Sequence, residues 1–154
     1  MSKKKRRDIP RFDTPIIETH CHLDYLEDSA LAETLEKTAE VGITDIITIA
    51  VSPDNLERVR MLTRAADNIW GTQGIHPHEA ESYSGEVEGE IRQGAADPRI
   101  LAIGEIGLDY YYDHADRSVQ RRVFERQLQL AVELEMPVVI HTREADQDTR
   151  DILS

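Results

Sequence analysis

Asp45-Ile46-Ile47-Thr48-Ile49-Ala50-Val51-Ser52-Pro53 decides the fold class. The residues up to Val51 form a β-branched run of the kind found in a strand covered on both faces. Ser52-Pro53 then opens a helix at once, since a hydroxyl suits the N-cap and proline suits a first turn that needs no amide donor. Leu56, Val59, Leu62 and Ala66 follow at helical spacing. The same strand-then-helix alternation extends in both directions. Upstream, Pro15-Ile16-Ile17-Glu18-Thr19 reads as a strand, and Asp28 or Ser29 can cap a helix that carries Leu31, Leu35 and Ala39 and ends at Gly42. Downstream, Ile69 to Ile75, Ile100 to Ile103 and Pro137 to Ile140 read as three more strands. Residues 82–96 are acidic and interrupted by glycine, a poorer helix. The run from Ser118 to Glu135 sets Phe124, Leu128, Ala131 and Leu134 on one face, and a fifth helix opens near Glu144.

This order predicts an α/β fold with a parallel sheet and right-handed crossovers. With 154 residues and a 40% hydrophobic fraction the chain can build a core. A complete (β/α)₈ barrel, however, usually takes about 250 residues and rarely fewer than about 200. The alternation supplies five strands, four complete helices and the opening of a fifth, which make one domain or part of one. Residues 1–14 read as a basic, flexible N-terminal tail and residues 15–154 as that domain.

The formal net charge is −12, and Lys3, Lys4, Lys5, Arg6 and Arg7 hold five of the 18 basic residues. The remainder sets 13 basic against 30 acidic side chains, a surface that repels phosphate backbones and argues against broad nucleic-acid binding. The single cysteine, Cys21, excludes an internal disulfide and fits a reducing compartment. No apolar run approaches the roughly 18 residues of a membrane span. The basic start leads into Asp8-Ile9-Pro10-Arg11 rather than into a secretory signal's apolar stretch. A cytoplasmic chain with no membrane partner is expected.

Polar residues of unusual type collect where the expected strands end, the edge at which parallel α/β folds place ligands and catalysis. In His20-Cys21-His22 the two-residue strand repeat turns both imidazoles to one side, where they can share a divalent ion. Cys21 points the other way, as a small buried residue or a ligand. Leu101, Ile103 and Glu105 share a face, so Glu105 ends an apolar row as a metal ligand or a buried ion-pair partner. Asp109 can orient a ligand or cap the next turn. His141 ends Val138-Val139-Ile140 in the same manner as Glu105. Arg143 is placed to meet an anion such as phosphate or to form an ion pair. One of His76 and His78 lines the site, or both belong to a rigid turn around Pro77. His114 has no assigned role. Neither a Gly-x-Ser-x-Gly elbow nor a phosphate-cradling Gly-x-x-x-x-Gly-Lys loop occurs. Metal-assisted hydrolysis is the reaction class left.

Four segments, Glu18-Thr19-His20-Cys21-His22-Leu23-Asp24, Gly74-Ile75-His76-Pro77-His78, Gly104-Glu105-Ile106-Gly107-Leu108-Asp109-Tyr110 and Pro137-Val138-Val139-Ile140-His141-Thr142-Arg143, resemble successive signatures of the TatD-type deoxyribonucleases. The resemblance implies a (β/α)₈ TIM-barrel-type hydrolase, of which residues 15–154 form a partial barrel domain with about the first five β/α units, holding two divalent ions (Mg, Mn or Zn) and cleaving DNA phosphodiesters. It implies that His20 and His22 hold the first ion, Glu105 bridges the two, and His141 holds the second. His76, His78, Asp109 and Arg143 remain candidates for substrate contact or for support of the ligands. The family adds a histidine after a sixth strand and a catalytic aspartate after an eighth, and neither is among these 154 residues. It also carries aspartate where this chain has Glu18. Acidity favours DNA ends or short single strands as substrate, and unpaired strand edges in a partial barrel favour self-association. The alternatives are a non-catalytic metal-binding or assembly module, and another His-x-His barrel hydrolase acting on amides or small phosphate esters.

Overall fold

The β-branched and apolar runs form five parallel strands in a computed structural model that describes residues 8–154. Lys3 to Arg7, the core of the basic tail, lie outside the described residues. The strands are β1 (Ile16–Cys21), β2 (Ile43–Thr48), β3 (Ile69–Gln73), β4 (Ile100–Asp109) and β5 (Val138–Arg143), hydrogen-bonded in chain order. The helices are α1 (Asp28–Glu40), α2 (Pro53–Ala65), α3 (Gly85–Ala95), α4 (Arg117–Glu133) and α5 (Asp146–Leu153). A 1-2-3-4-5 order with right-handed crossovers sends every helix to the same face, as in a singly wound barrel rather than a doubly wound sheet. The sheet is a curled half-barrel, in agreement with the expected fold class.

The core lies between the convex face and the helices, where Leu56, Val59, Ile75, Ile91, Ile106, Leu108, Phe124 and Leu130 are fully buried. A second cluster joins Leu23, Ile46, Leu62 and Ile69, with Leu31 and Leu35 of α1 packed against it. The concave face is open. Ile17, Ile47, Trp70 and Leu101 line a cleft there with Asp45, which accepts a hydrogen bond from the Trp70 indole at 3.1 Å.

Four local features differ from the sequence expectation. α1 is capped at Glu27, so Asp28 is its first helical residue and pairs with Arg58 instead. β4 does not stop at Ile103 but runs ten residues to Asp109, because pairing with β5 continues past the glycines. The segment 82–96 follows a 3-10 turn, Pro77–Ser82, and holds a regular α3 whose N-cap Ser84 accepts from the Val87 amide at 3.2 Å. Glu88 holds that helix to α4 by accepting from Arg126 at 2.7 Å, and within its own segment it accepts from Arg92 at 3.0 Å and the Tyr83 hydroxyl at 2.9 Å. Residues 8–14 have no regular structure, yet the Phe12 amide donates to Val41 O at 3.1 Å. A side chain on Gly42, at φ +97°, would meet Phe12 O at 2.7 Å, so only glycine admits this crossing.

Candidate metal centre

Two breaks in strand register fall on the residues of interest. β1 has an extra residue against β2 between Glu18 and Cys21, and β4 has one against β5 between Gly104 and Ile106. Such irregularities re-aim side chains at a sheet's end. The first brings in His20, whose amide donates to Glu18 Oε1 at 3.0 Å. The second brings in Glu105, whose amide donates to Ala50 O at 3.0 Å.

His20 and His22 lie with ring centroids 5.5 Å apart, and His20 Nε2 is 3.4 Å from Glu105 Oε2. His22 Nδ1 is 3.2 Å from Ile49 O. A carbonyl only accepts, so Nδ1 carries the proton and Nε2 keeps its lone pair. Cys21 faces away, 3.6 Å from Ile47 O, and its thiol is pushed up to about 11 by burial, then by Glu18 and Asp24. It joins neither group of possible ligands among the described residues.

Glu105 is 6% exposed. Burial raises its carboxyl, but the hydrogen bond from His141 and the facing His76 and His20 outweigh that and hold it below the ordinary value. Its Oε1 is 3.0 Å from His141 Nδ1, and His141 Nε2 is 2.9 Å from Asp109 Oδ2. The two carboxylates, Glu105 first, raise the His141 pKa against the effect of burial. His141 sits opposite Gly107, where a Cβ would come within 1.9 Å of His141 O at φ +142°. Glycine is therefore required for β5 to bring this ring so close.

Asp109 is fully buried and uses both oxygens. Oδ2 faces His141 and, at 3.0 Å, His78 Nε2, while Oδ1 accepts from the Tyr111 and Tyr112 amides at 3.1 and 2.9 Å. It thus orients imidazoles and caps the following turn together. Burial raises its carboxyl, but the Tyr112 amide and the two histidines bring it down to about 2. His76 is brought down to about 4, by burial first and by His141 second. The His78 amide donates to its Nδ1 at 3.1 Å. A neutral His76 therefore carries its proton on Nε2, as a donor toward the cleft.

His20, His22 and Glu105 form one group of possible ligands and His76, Glu105 and His141 another, with the ligand atoms of each within 4.8 Å of one another. Glu105 belongs to both. Imidazole with carboxylate is a donor set that suits borderline divalent ions such as zinc and manganese, so the residues present fit such a group. The cleft beside them, about 290 Å³, is lined by His22, Tyr25, Val51, His76, His78, Glu79 and Glu105. Arg143 forms no ion pair among the described residues and lies instead over the Tyr111 and Tyr112 rings.

Sequence reasoning missed Gln120 and Gln127, both fully buried on the Phe124 face of α4. Gln127 accepts from the Ile75 amide at 2.8 Å and donates to Ile75 O at 3.0 Å. Gln120 accepts from the Asp109 amide at 2.8 Å and donates to Asp109 O at 3.2 Å and Ala115 O at 2.9 Å. These amides hold the backbone beside His76 and at Asp109. The available signal was two glutamines seven residues apart in line with Phe124 and Ala131.

A family model described as TatD related DNase matches residues 17–154. The chain belongs to the TatD family. It is 36% identical to the human 3'-5' RNA nuclease TATDN2 over 94% of this chain and 20% of that protein. It is 34% identical to the 3'-5' ssDNA/RNA exonuclease TatD of Erwinia tasmaniensis, over 79% of this chain and 47% of the relative. The crystal structure of YJJV, a TatD homologue from Escherichia coli K12, superposes with a TM-score of 0.82 at 30% identity, over 89% of this chain and 54% of that one. The chain spans a fifth of the human relative and about half of the bacterial ones. Other relatives bear the name metal-dependent hydrolase. Among the described residues no helix is long and apolar enough to cross a membrane.

Proposed function

We propose that this TatD-family chain contributes the greater part of a two-ion centre that hydrolyses phosphodiester bonds at the ends of DNA or short single strands. The observation that supports it most is Glu105, buried and common to both groups of possible ligands. His20 and His22 with Glu105 would hold one divalent ion, and His141 with Glu105 a second. Asp109 on the far nitrogen of His141 leaves the nitrogen facing Glu105 free to act as the donor. His76 offers its Nε2 hydrogen to an anionic oxygen rather than a lone pair to metal. Bound divalent ions neutralise charge on phosphate oxygens and make water more acidic. Positive charge supplied there reconciles an acidic protein with an anionic substrate.

The nucleic-acid substrate is carried over from relatives named as nucleases. Incubated with Mn²⁺ or Mg²⁺, this chain is expected to shorten 3′-ended single-stranded DNA. A His20→Ala/His22→Ala double variant should lose at least about a hundredfold in rate, as removal of metal ligands does. Cleavage no faster than that of the variant would return the chain to a metal-binding or assembly role. The proposal also places the protein in the cytoplasm, with Cys21 unpaired, and includes self-association through the β1 and β5 edges and the open concave face. A sedimentation coefficient independent of concentration would remove that last part.

A further inference from the structure

We propose that Tyr111, Tyr112 and Arg143 form a platform on which a nucleobase of the substrate stacks beside the metal centre, an inference that rests on the nucleic-acid reading above. The two tyrosines are 53% and 50% exposed, whereas Phe124, the one aromatic side chain among the buried core residues, is 1% exposed. Exposed rings close to a reactive centre need a cause. The Arg143 guanidinium lies 4.3 Å from the Tyr111 ring centroid and 4.8 Å from that of Tyr112. Arg117 and Arg121 nearby are paired with Asp113 and Asp148, whereas Arg143 has no carboxylate within 4.0 Å among the described residues. In so acidic a chain that is an unspent cation. The two tyrosine rings meet edge to face, 4.8 Å apart at 89°, so the guanidinium over them backs one side of this corner and leaves the outer ring faces to a base, while its N–H edge remains able to meet a phosphate.

The cluster is fastened to the centre through Asp109. One oxygen of that carboxylate faces His78 and His141, and the other fixes the amides of Tyr111 and Tyr112. Asp109 is also the β4 partner of Arg143 in the sheet. On its other side the Tyr112 ring lies 5.5 Å from His78, centroid to centroid. The platform therefore moves with the residues that surround the reacting phosphate. Stacking uses the π-face that every base possesses, so the preference is for unpaired bases of any sequence.

The test compares two fluorescent hexamers bound by the metal-free chain in EDTA, read by anisotropy at one ionic strength. One is hexathymidylate and the other carries six abasic tetrahydrofuran sites on the same phosphates. Stacking predicts about tenfold tighter binding of hexathymidylate, a modest value for base–aromatic contacts. Tyr111→Ala/Tyr112→Ala should bring the ratio to within about twofold, while Tyr111→Phe/Tyr112→Phe keeps it. His20→Ala/His22→Ala should keep it too, since only metal ligands are lost. Equal affinity of wild type for both hexamers, or no binding of either, overturns the platform even if DNA is cleaved. A base preference without cleavage keeps the platform and removes the proposed hydrolysis.

Discussion

Glu105→Gln should weaken divalent-ion binding at both ligand groups at once, by about two orders of magnitude in apparent affinity for Mn²⁺. The argument rests on sharing. His22 belongs to one group and His141 to the other, but Glu105 is in both. An amide of the same shape keeps the packing of a side chain that is 6% exposed, but gives up the negative charge whose two oxygens face His20 and His141 separately. Loss of a residue that merely supports a ligand typically costs about 10–100-fold in affinity, so loss of a shared ligand sits at or beyond the upper end. Calorimetric titration checks this. His22→Ala should leave binding at Glu105 and His141 within a fewfold of wild type. Glu105→Gln with affinity within threefold of wild type would mean that the carboxylate is a structural partner of the two histidines.

Gln127→Leu should lower stability by about 2–6 kcal/mol, because it leaves the buried amide and carbonyl of Ile75 without partners, at about 1–3 kcal/mol each. For a chain of this size that corresponds to a melting temperature lower by about 5–25 °C. Leucine replaces the volume, so the loss isolates hydrogen bonding from packing. Gln129→Leu, two residues on and exposed, should change stability by less than about 0.5 kcal/mol. Urea denaturation of the two variants separates the cases, and equal midpoints would show that Gln127 does not hold the end of β3. The same substitution loosens the backbone that leads into His76, so metal affinity should fall as well.

The order of strands and helices was legible because burial imposes it. Ile46, Ile49 and the Leu56–Val59–Leu62 face must be covered, and their spacing records how. The gathering of histidines and carboxylates at the sheet's end was legible for a different reason: imidazole and carboxylate at the end of an apolar strand are costly unless something binds them. Less could be read of the arrangement. Simple alternation does not announce the extra residues near His20 and at Glu105, since a bulge depends on the partner strand. β4 was too short on paper because glycines weaken a strand in isolation, whereas here Gly107 is what admits β5. Gln120 and Gln127 passed unread because their partners are backbone groups far along the chain. Arg143 was offered a phosphate or a carboxylate, and the aromatic neighbours it has come from the loop after β4.

The central claim is that the carboxyl edge of this half-barrel gathers divalent ions on Glu105. Anomalous diffraction from crystals equilibrated with Mn²⁺ tests it most directly. The account predicts one peak in bonding contact with His20, His22 and Glu105, and a second in contact with Glu105 and His141. Peaks confined to surface carboxylates, with Glu105 still hydrogen-bonded to His141 and no density between them and His20, would contradict it.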